Sequence, residues 1–456
     1  MWISLKGIDN VKILKTIPIP LAWHNADTHM KEVIQGASVA FSLKLIGAGL
    51  NFAFNLLLAR MLGAEGAGIY FLALTIATFA AIFGRIGLDN ALLRFTAANA
   101  SNRNWAAVKG IYQKGIFLVL TASIISSIVM YTISPWLAEY LFFKPELTKH
   151  FRLMALAVTP MALFILHAEM LKGLKLIFCS QMIEGVTVPF ISLIGLYFLG
   201  NMFGVRGGIW AYIIATVFTT LLGYMLWKVA TPKTKGLEGK FLIKDLLHSS
   251  MPLFVVSVMN LLMMWTGSIM LGIWGTKADV GVFNIASRTA ALLSFILIAV
   301  NSISAPKFAA MYRQGDIQSL GTLTRCSSKI MAILASPILL IFVLVPEQVM
   351  GLFGPQFLEG ALVLSILAIG QFINVATGSV GYLLLMSGNE HLMRNTITVS
   401  ALLNVFLNLI MIKSGGVIGV AVATAISLAG MNLVLAYLVW SRLKIWTLPI
   451  IWGNHK

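Results

Sequence analysis

Between residues 37 and 441 the chain carries about a dozen apolar runs of roughly twenty residues, joined by short polar connections. A helix of that length crosses the ~30 Å hydrocarbon core of a bilayer. In that solvent only helices and closed barrels satisfy their own backbone hydrogen bonds. Strand-like alternation is absent, so the barrel solution falls away and helices remain. Composition agrees: 59% of residues are hydrophobic and 11% are charged, against about 25% charged in a soluble domain. The chain reads as an integral membrane protein.

The runs place spans at 37–60, 68–93, 111–134, 151–171, 176–199, 208–228, 248–274, 281–305, 328–346, 361–387, 393–413 and 417–441. With the N-terminus inside, twenty-three Lys and Arg fall on the cytosolic side and seven outside, while Lys44, Arg85 and Arg288 lie within spans. This asymmetry is the positive-inside signature. It accounts for the formal charge of +17 without a nucleic-acid partner. Cys179 and Cys326 fall near cytosolic connections and indicate no disulfide framework. Residues 1–36 are expected to form a cytosolic tail, with an interfacial amphipathic helix over Ile3–Ile17. The run Ile17–Trp23 is broken by two prolines and does not read as a signal peptide. His24, Asp27 and His29 lack further ligands for a metal site.

One stretch recurs. Gly63, Gly68 and Tyr70 correspond to Gly275, Gly281 and Phe283; Arg94-Phe95 corresponds to Lys307-Phe308; Gly204 and Gly207 correspond to Gly416 and Gly419. The offset stays at 212 or 213 throughout. Six helices per repeat is an even number, so both halves enter from the same side as parallel repeats. The expected fold is all-α: twelve transmembrane helices in two parallel six-helix repeats around a central cleft. The bundles occupy 37–228 and 248–441, with a cytosolic Lys-rich linker at 229–247 and a cytosolic C-terminal tail at 442–456.

Charged and amide side chains inside a span are costly and should face a cavity or a partner. Helical spacing groups Lys44, Asn51 and Asn55 in the first span, and Thr75, Thr78, Arg85 and Asp89 in the second. Asn284 aligns with Arg288, Gln371 with Asn374, Thr159 with Glu169, and Ser180 with Glu184. Substrate-binding candidates are Arg288, Arg85, Lys44, Asn51, Asn55, Asn284 and Asn374; ion-coupling candidates are Asp89, Glu184 and Glu169. Arg85 and Asp89, one turn apart, have an alternative reading as a mutually neutralising pair. Lys44 and Glu169 lie close enough to the cytosolic interface to be solvated there, whereas Glu184 is expected deeper. The Asn residues have an alternative role in bonding helices together. Arg288 has no acid nearby, and its counterpart 213 positions earlier is Thr75. It is the leading candidate for an anionic ligand. No P-loop and no nucleophile motif appears, so no catalytic residue is assigned.

The segments NLLLARMLGAEGAGIYFLAL, from Asn55, and GLDNALLRFTA, from Gly87, resemble the opening of oligosaccharide flippases of the Wzx type. These belong to the multidrug/oligosaccharidyl-lipid/polysaccharide exporter superfamily. The resemblance implies export of an undecaprenyl-diphosphate-type, lipid-linked oligosaccharide from the cytosolic to the outer leaflet by alternating access. It further implies coupling to a proton or sodium gradient, no cofactor, and a monomer in the bacterial inner membrane with both termini cytosolic. Membrane lipids and other polysaccharide assembly proteins are the remaining expected partners. Basic residues of the family's cleft are thought to hold the anionic pyrophosphate or sugar acids, which points to Arg85 and Arg288, with Lys44 at the cytosolic mouth. The chain departs from the pattern in carrying Arg85 where many relatives carry an acid.

Two rivals differ in what they require. A multidrug antiporter of the same superfamily would be expected to meet cations with acids in spans 1 and 7, but span 1 offers Lys44 and span 7 has no charge. A membrane-embedded polysaccharide polymerase would be expected to carry a long basic outer loop, but the longest outer connection is Pro135–His150.

Overall fold

The structure, a computed structural model, describes residues 28–448. The helix expected over Ile3–Ile17 lies outside the described residues. No strand occurs among the described residues. Helices follow in the order α1 (Thr28–Arg85), α2 (Leu88–Ser101), α3 (Trp105–Trp136), α4 (Leu147–Ala155), α5 (Val158–Gly173), α6 (Ile177–Gln181), α7 (Val188–Phe203) and α8 (Val205–Ala230). After the linker come α9 (Ile243–Trp274), α10 (Lys277–Ala290), α11 (Ser294–Arg313), α12 (Ile317–Leu344), α13 (Pro346–Gly351), α14 (Ala361–Ala376), α15 (Val380–Met386) and α16 (Glu390–Leu443).

Among the described residues, ten helical stretches are long and apolar enough to cross a membrane. Two of them are unusually long, 47 residues over Val39–Arg85 and 54 over Glu390–Leu443. Straight, the second would measure about 80 Å, more than twice the hydrocarbon thickness. Each is interrupted by one glycine: Gly63 (φ 66°, ψ −177°) and Gly416 (φ 50°, ψ −130°). Gly204, between α7 and α8, repeats the Gly416 conformation at φ 55° and ψ −130°. A positive φ costs an L side chain its Cβ clearance, so these turns call for glycine.

The helix expected over 68–93 is not continuous. α1 ends at Arg85, Ile86 and Gly87 adopt positive φ, and α2 starts at Leu88. The cause is tertiary: a Cβ on Gly87 would lie 2.5 Å from the Ser250 carbonyl oxygen and 2.6 Å from the Phe254 nitrogen. Here the backbone meets α9 directly.

α1 is the central helix: 72% of its most apolar window is buried, against 17% for the α3 span. α3 instead turns Phe117, Ile124, Ile125 and Ile128 outward, as a lipid-facing helix should. The main core runs through both halves, from Phe71 and Phe151 to Phe353 and Phe357.

Candidate functional site

The halves meet most tightly where α1 crosses α10. A Cβ on Gly68 would collide with the Lys277 carbonyl, and one on Gly281 would collide with the Ala64 carbonyl. Ion pairs surround this contact: Lys277 Nζ lies 2.5 Å from Glu65 and 2.9 Å from Glu146. The kink at Gly63 frees the Ala64 amide, which donates to Gln356 Oε1 at 2.8 Å. Arg60 Nε donates to the Leu352 carbonyl at 2.9 Å, and Lys144 Nζ to the Gly272 carbonyl at 2.7 Å. Burial holds the Lys144 amine below its usual range, and the hydrogen bond from Lys277 holds the Glu146 carboxyl below its own.

Below this clamp, α10 presents Arg288 in its last turn. The guanidinium carbon stands 4.8 Å from the Phe71 ring centroid on α1 and 5.8 Å from the Trp265 ring centroid on α9. Tyr70 and Tyr212 lie within its electrostatic reach, their rings 6.4 Å apart and edge to face. No carboxylate pairs with Arg288 among the described residues, and its Nε, fully covered, has no hydrogen-bond partner. Trp265 is buried, and its indole N–H is unpartnered as well. A cation held by aromatic faces gains cation–π attraction, yet its hydrogen-bond donors remain unused. An anionic ligand would supply what is missing.

The remaining candidates divide between internal and open positions. Arg85 Nε sits 3.5 Å from Asp89 Oδ2 across the α1–α2 break, with side chains 12% and 21% exposed, as in the neutralising alternative. Asn284 is committed to α9, donating to Ser268 Oγ at 3.0 Å. Asn374 donates to Gln371 Oε1 at 3.3 Å, and that oxygen also accepts from Ser294 at 2.7 Å. Asn51 is exposed and donates to the Gly47 carbonyl at 2.9 Å. Asn55 is buried with its Oδ1 unpaired. Lys44 is exposed on the same helix. Glu169 and Glu184 converge on Lys172, at 2.7 and 3.4 Å. The Glu184 side chain is 43% exposed and that of Glu169 13%. A π-helical turn over Met182–Thr187 carries Glu184 off the regular helical register.

Sequence reasoning missed Trp265, concealed in an apolar run, and Lys172, which reads as a loop charge. It also missed an apolar cavity of about 580 Å³ between α1 and α11–α12, lined by Phe41, Leu45, Phe52, Phe295, Ile296 and Ile338 among others. A second cavity of about 340 Å³, within the C-terminal half, exposes Asn301, Asn374, Ser379 and Asn432.

A family model described as "Polysaccharide biosynthesis protein" matches residues 33–312, more than half of the chain. The chain belongs to this polysaccharide biosynthesis family. An uncharacterised membrane protein of Methanocaldococcus jannaschii is 22% identical over 440 residues, covering 92% of this chain and 85% of the relative. A protein of Haloferax volcanii named "probable low-salt glycan biosynthesis flippase" is 26% identical over 396 residues, covering 85% and 79%. Among solved structures, an inward-facing multidrug resistance MATE family transporter of the MOP superfamily superposes with TM-score 0.71 at 17% identity, covering 90% of this chain and 98% of that one. The lipid II flippase MurJ, inward closed, gives 0.70 at 17% identity, covering 88% and 87%. A MOP superfamily transporter from Pyrococcus furiosus gives 0.64 at 16%, covering 92% and 99%. The polysaccharide biosynthesis family member described here therefore has the MOP transporter fold. Those structural neighbours are described as transporters and a flippase.

Proposed function

We propose that this protein is a secondary flippase that carries an anionic, lipid-linked glycan from the cytosolic to the outer leaflet of the plasma membrane. The observation that carries this reading is Arg288, an arginine without a carboxylate partner among the described residues, enclosed by aromatic rings where the two halves meet. A planar guanidinium forks onto phosphate oxygens in a way an ammonium cannot, which suits an undecaprenyl-diphosphate-type carrier. Lys44 adds positive charge, Arg85 adds its own once released from Asp89, and Asn51, Asn55 and Asn374 offer neutral partners for sugar hydroxyls. The apolar cavity beside α1 suits the isoprenyl chain. The named flippase of Haloferax volcanii supports a glycan cargo.

In this reading the two kinked helices each cross twice, giving twelve crossings in two six-helix repeats, over 37–228 and 248–441. The matched backbones of Gly204 and Gly416 and the reciprocal contacts of Gly68 and Gly281 support that duplication. Alternating access then means parting the halves at one end and closing them at the other, with both termini cytosolic. Asp89, Glu169 and Glu184 are the acids available for coupling to a proton or sodium gradient. A cation antiporter is disfavoured because the charge buried among the aromatic rings between the halves is an arginine that has no carboxylate partner among the described residues.

Deleting the gene tests the reading. Lipid-linked oligosaccharide should accumulate on the cytosolic leaflet and the surface polymer should disappear. Persistence of the surface glycan, in cells with no relative to substitute, would overturn it.

A further inference from the structure

Trp265 enters the reading above only as a ring beside Arg288, yet it carries a donor of its own. Its ring lies 5.8 Å from the guanidinium carbon, and it is 8% exposed. It packs with Leu261 of its own helix and with Ile82 of α1, so it stands on the seam between the halves. Its indole nitrogen is covered and unbonded, as is Arg288 Nε. A buried donor without an acceptor is destabilising. Two neighbouring side chains thus each carry a donor that an acceptor between them would satisfy.

The repeat sharpens this. The residues 212 positions before Trp265 and 213 before Arg288 are Ala53 and Thr75. Ala53 has no side-chain donor, and the Thr75 hydroxyl is spent on the Phe71 carbonyl at 2.7 Å. Both unused donors therefore belong to the C-terminal half. The N-terminal half contributes Phe71, whose ring covers the guanidinium.

We propose that Trp265 Nε1 and Arg288 Nε together bind one phosphate-type oxyanion, with the Phe71 ring set over the face of Arg288 and the N–H edge left for the anion. Trp265 is thus a substrate ligand: a neutral, dry donor that strengthens as its acceptor becomes charged. The inference rests on the flippase reading for the source of the phosphate, an isoprenyl diphosphate.

The test uses the full chain in nanodiscs, with a short isoprenyl diphosphate, the matching isoprenyl alcohol, inorganic diphosphate and phosphatidylglycerol as probes. Trp265→Phe, and a benzothienyl side chain at 265 that keeps the ring shape but lacks the N–H, should weaken isoprenyl diphosphate binding about tenfold or more. Alcohol binding should stay unchanged, and Arg288→Gln should lose more than either. Competition by inorganic diphosphate supports the oxyanion site. If both Trp265 variants bind the diphosphate like wild type while Arg288→Gln does not, the Trp265 role is overturned and the flippase reading stands. If wild type prefers the diphosphate no more than the alcohol, both fall. If phosphatidylglycerol competes equally, the site takes any lipid phosphate and the assignment to isoprenyl diphosphate is overturned.

Discussion

Gly68 and Gly281 face one another across the junction of the two halves, each set against a carbonyl of the opposing helix: Lys277 for Gly68, Ala64 for Gly281. The reciprocity means that neither helix can accept a side chain here without moving the other. Gly68→Ala and Gly281→Ala should each destabilise the protein by about 1–3 kcal/mol, the range for overpacking. The double variant should cost less than the sum, because both methyls relieve themselves by the same separation. Thermal unfolding of the purified variants checks this.

The ion pairs of Lys277 with Glu65 and Glu146 are half exposed, so their strength is modest, about 1 kcal/mol or less each. Glu146 is held below its ordinary value of 4.5 by Lys277. A carboxyl depressed by folding contributes stability above its unfolded pKa and loses it as pH falls through the folded value. The stability difference between wild type and Lys277→Met should therefore be constant from pH 7 to about 5, shrink below pH 4.5, and also shrink in 1 M salt. Melting temperatures across that range give the answer.

Arg85 and Asp89 pair across a helix break while mostly covered. Asp89→Asn alone strands a buried guanidinium, an effect worth up to about 3–5 kcal/mol at full burial, reduced here by the partial exposure of both side chains. The double variant Arg85→Met/Asp89→Leu should recover most of that stability. If Asp89→Asn keeps wild-type abundance but loses export, Asp89 acts in coupling instead of in charge balance. Membrane abundance measured beside surface glycan separates the two.

Much of the architecture was legible because bilayer physics leaves few choices: apolar run length set the helices, and the recurring glycines marked the kinks at Gly63 and Gly416. The break at Ile86–Gly87 was not legible, since a glycine within an apolar run is compatible with a helix. What ends this helix is the approach of Ser250 and Phe254 from 160 residues away. Arg288 stood out as an arginine without a nearby acid. Trp265 did not, because an indole in an apolar run looks like core until its N–H proves unpartnered. The face that Glu184 presents was not legible either, because the π-helical turn at 182–187 displaces it from the register of a regular helix. Asn284, grouped with Arg288 by spacing, turns instead to Ser268.

The most direct test is transbilayer movement of an isoprenyl-diphosphate-linked glycan in proteoliposomes containing wild type, Arg288→Lys or Arg288→Ala at matched protein levels. Wild type should flip the lipid. Arg288→Ala should fall at least tenfold, and Arg288→Lys should recover only part, since a point charge lacks the guanidinium's fork and its stacking on Phe71. Flipping by Arg288→Ala at the wild-type rate would contradict the assignment of Arg288 as the anion ligand.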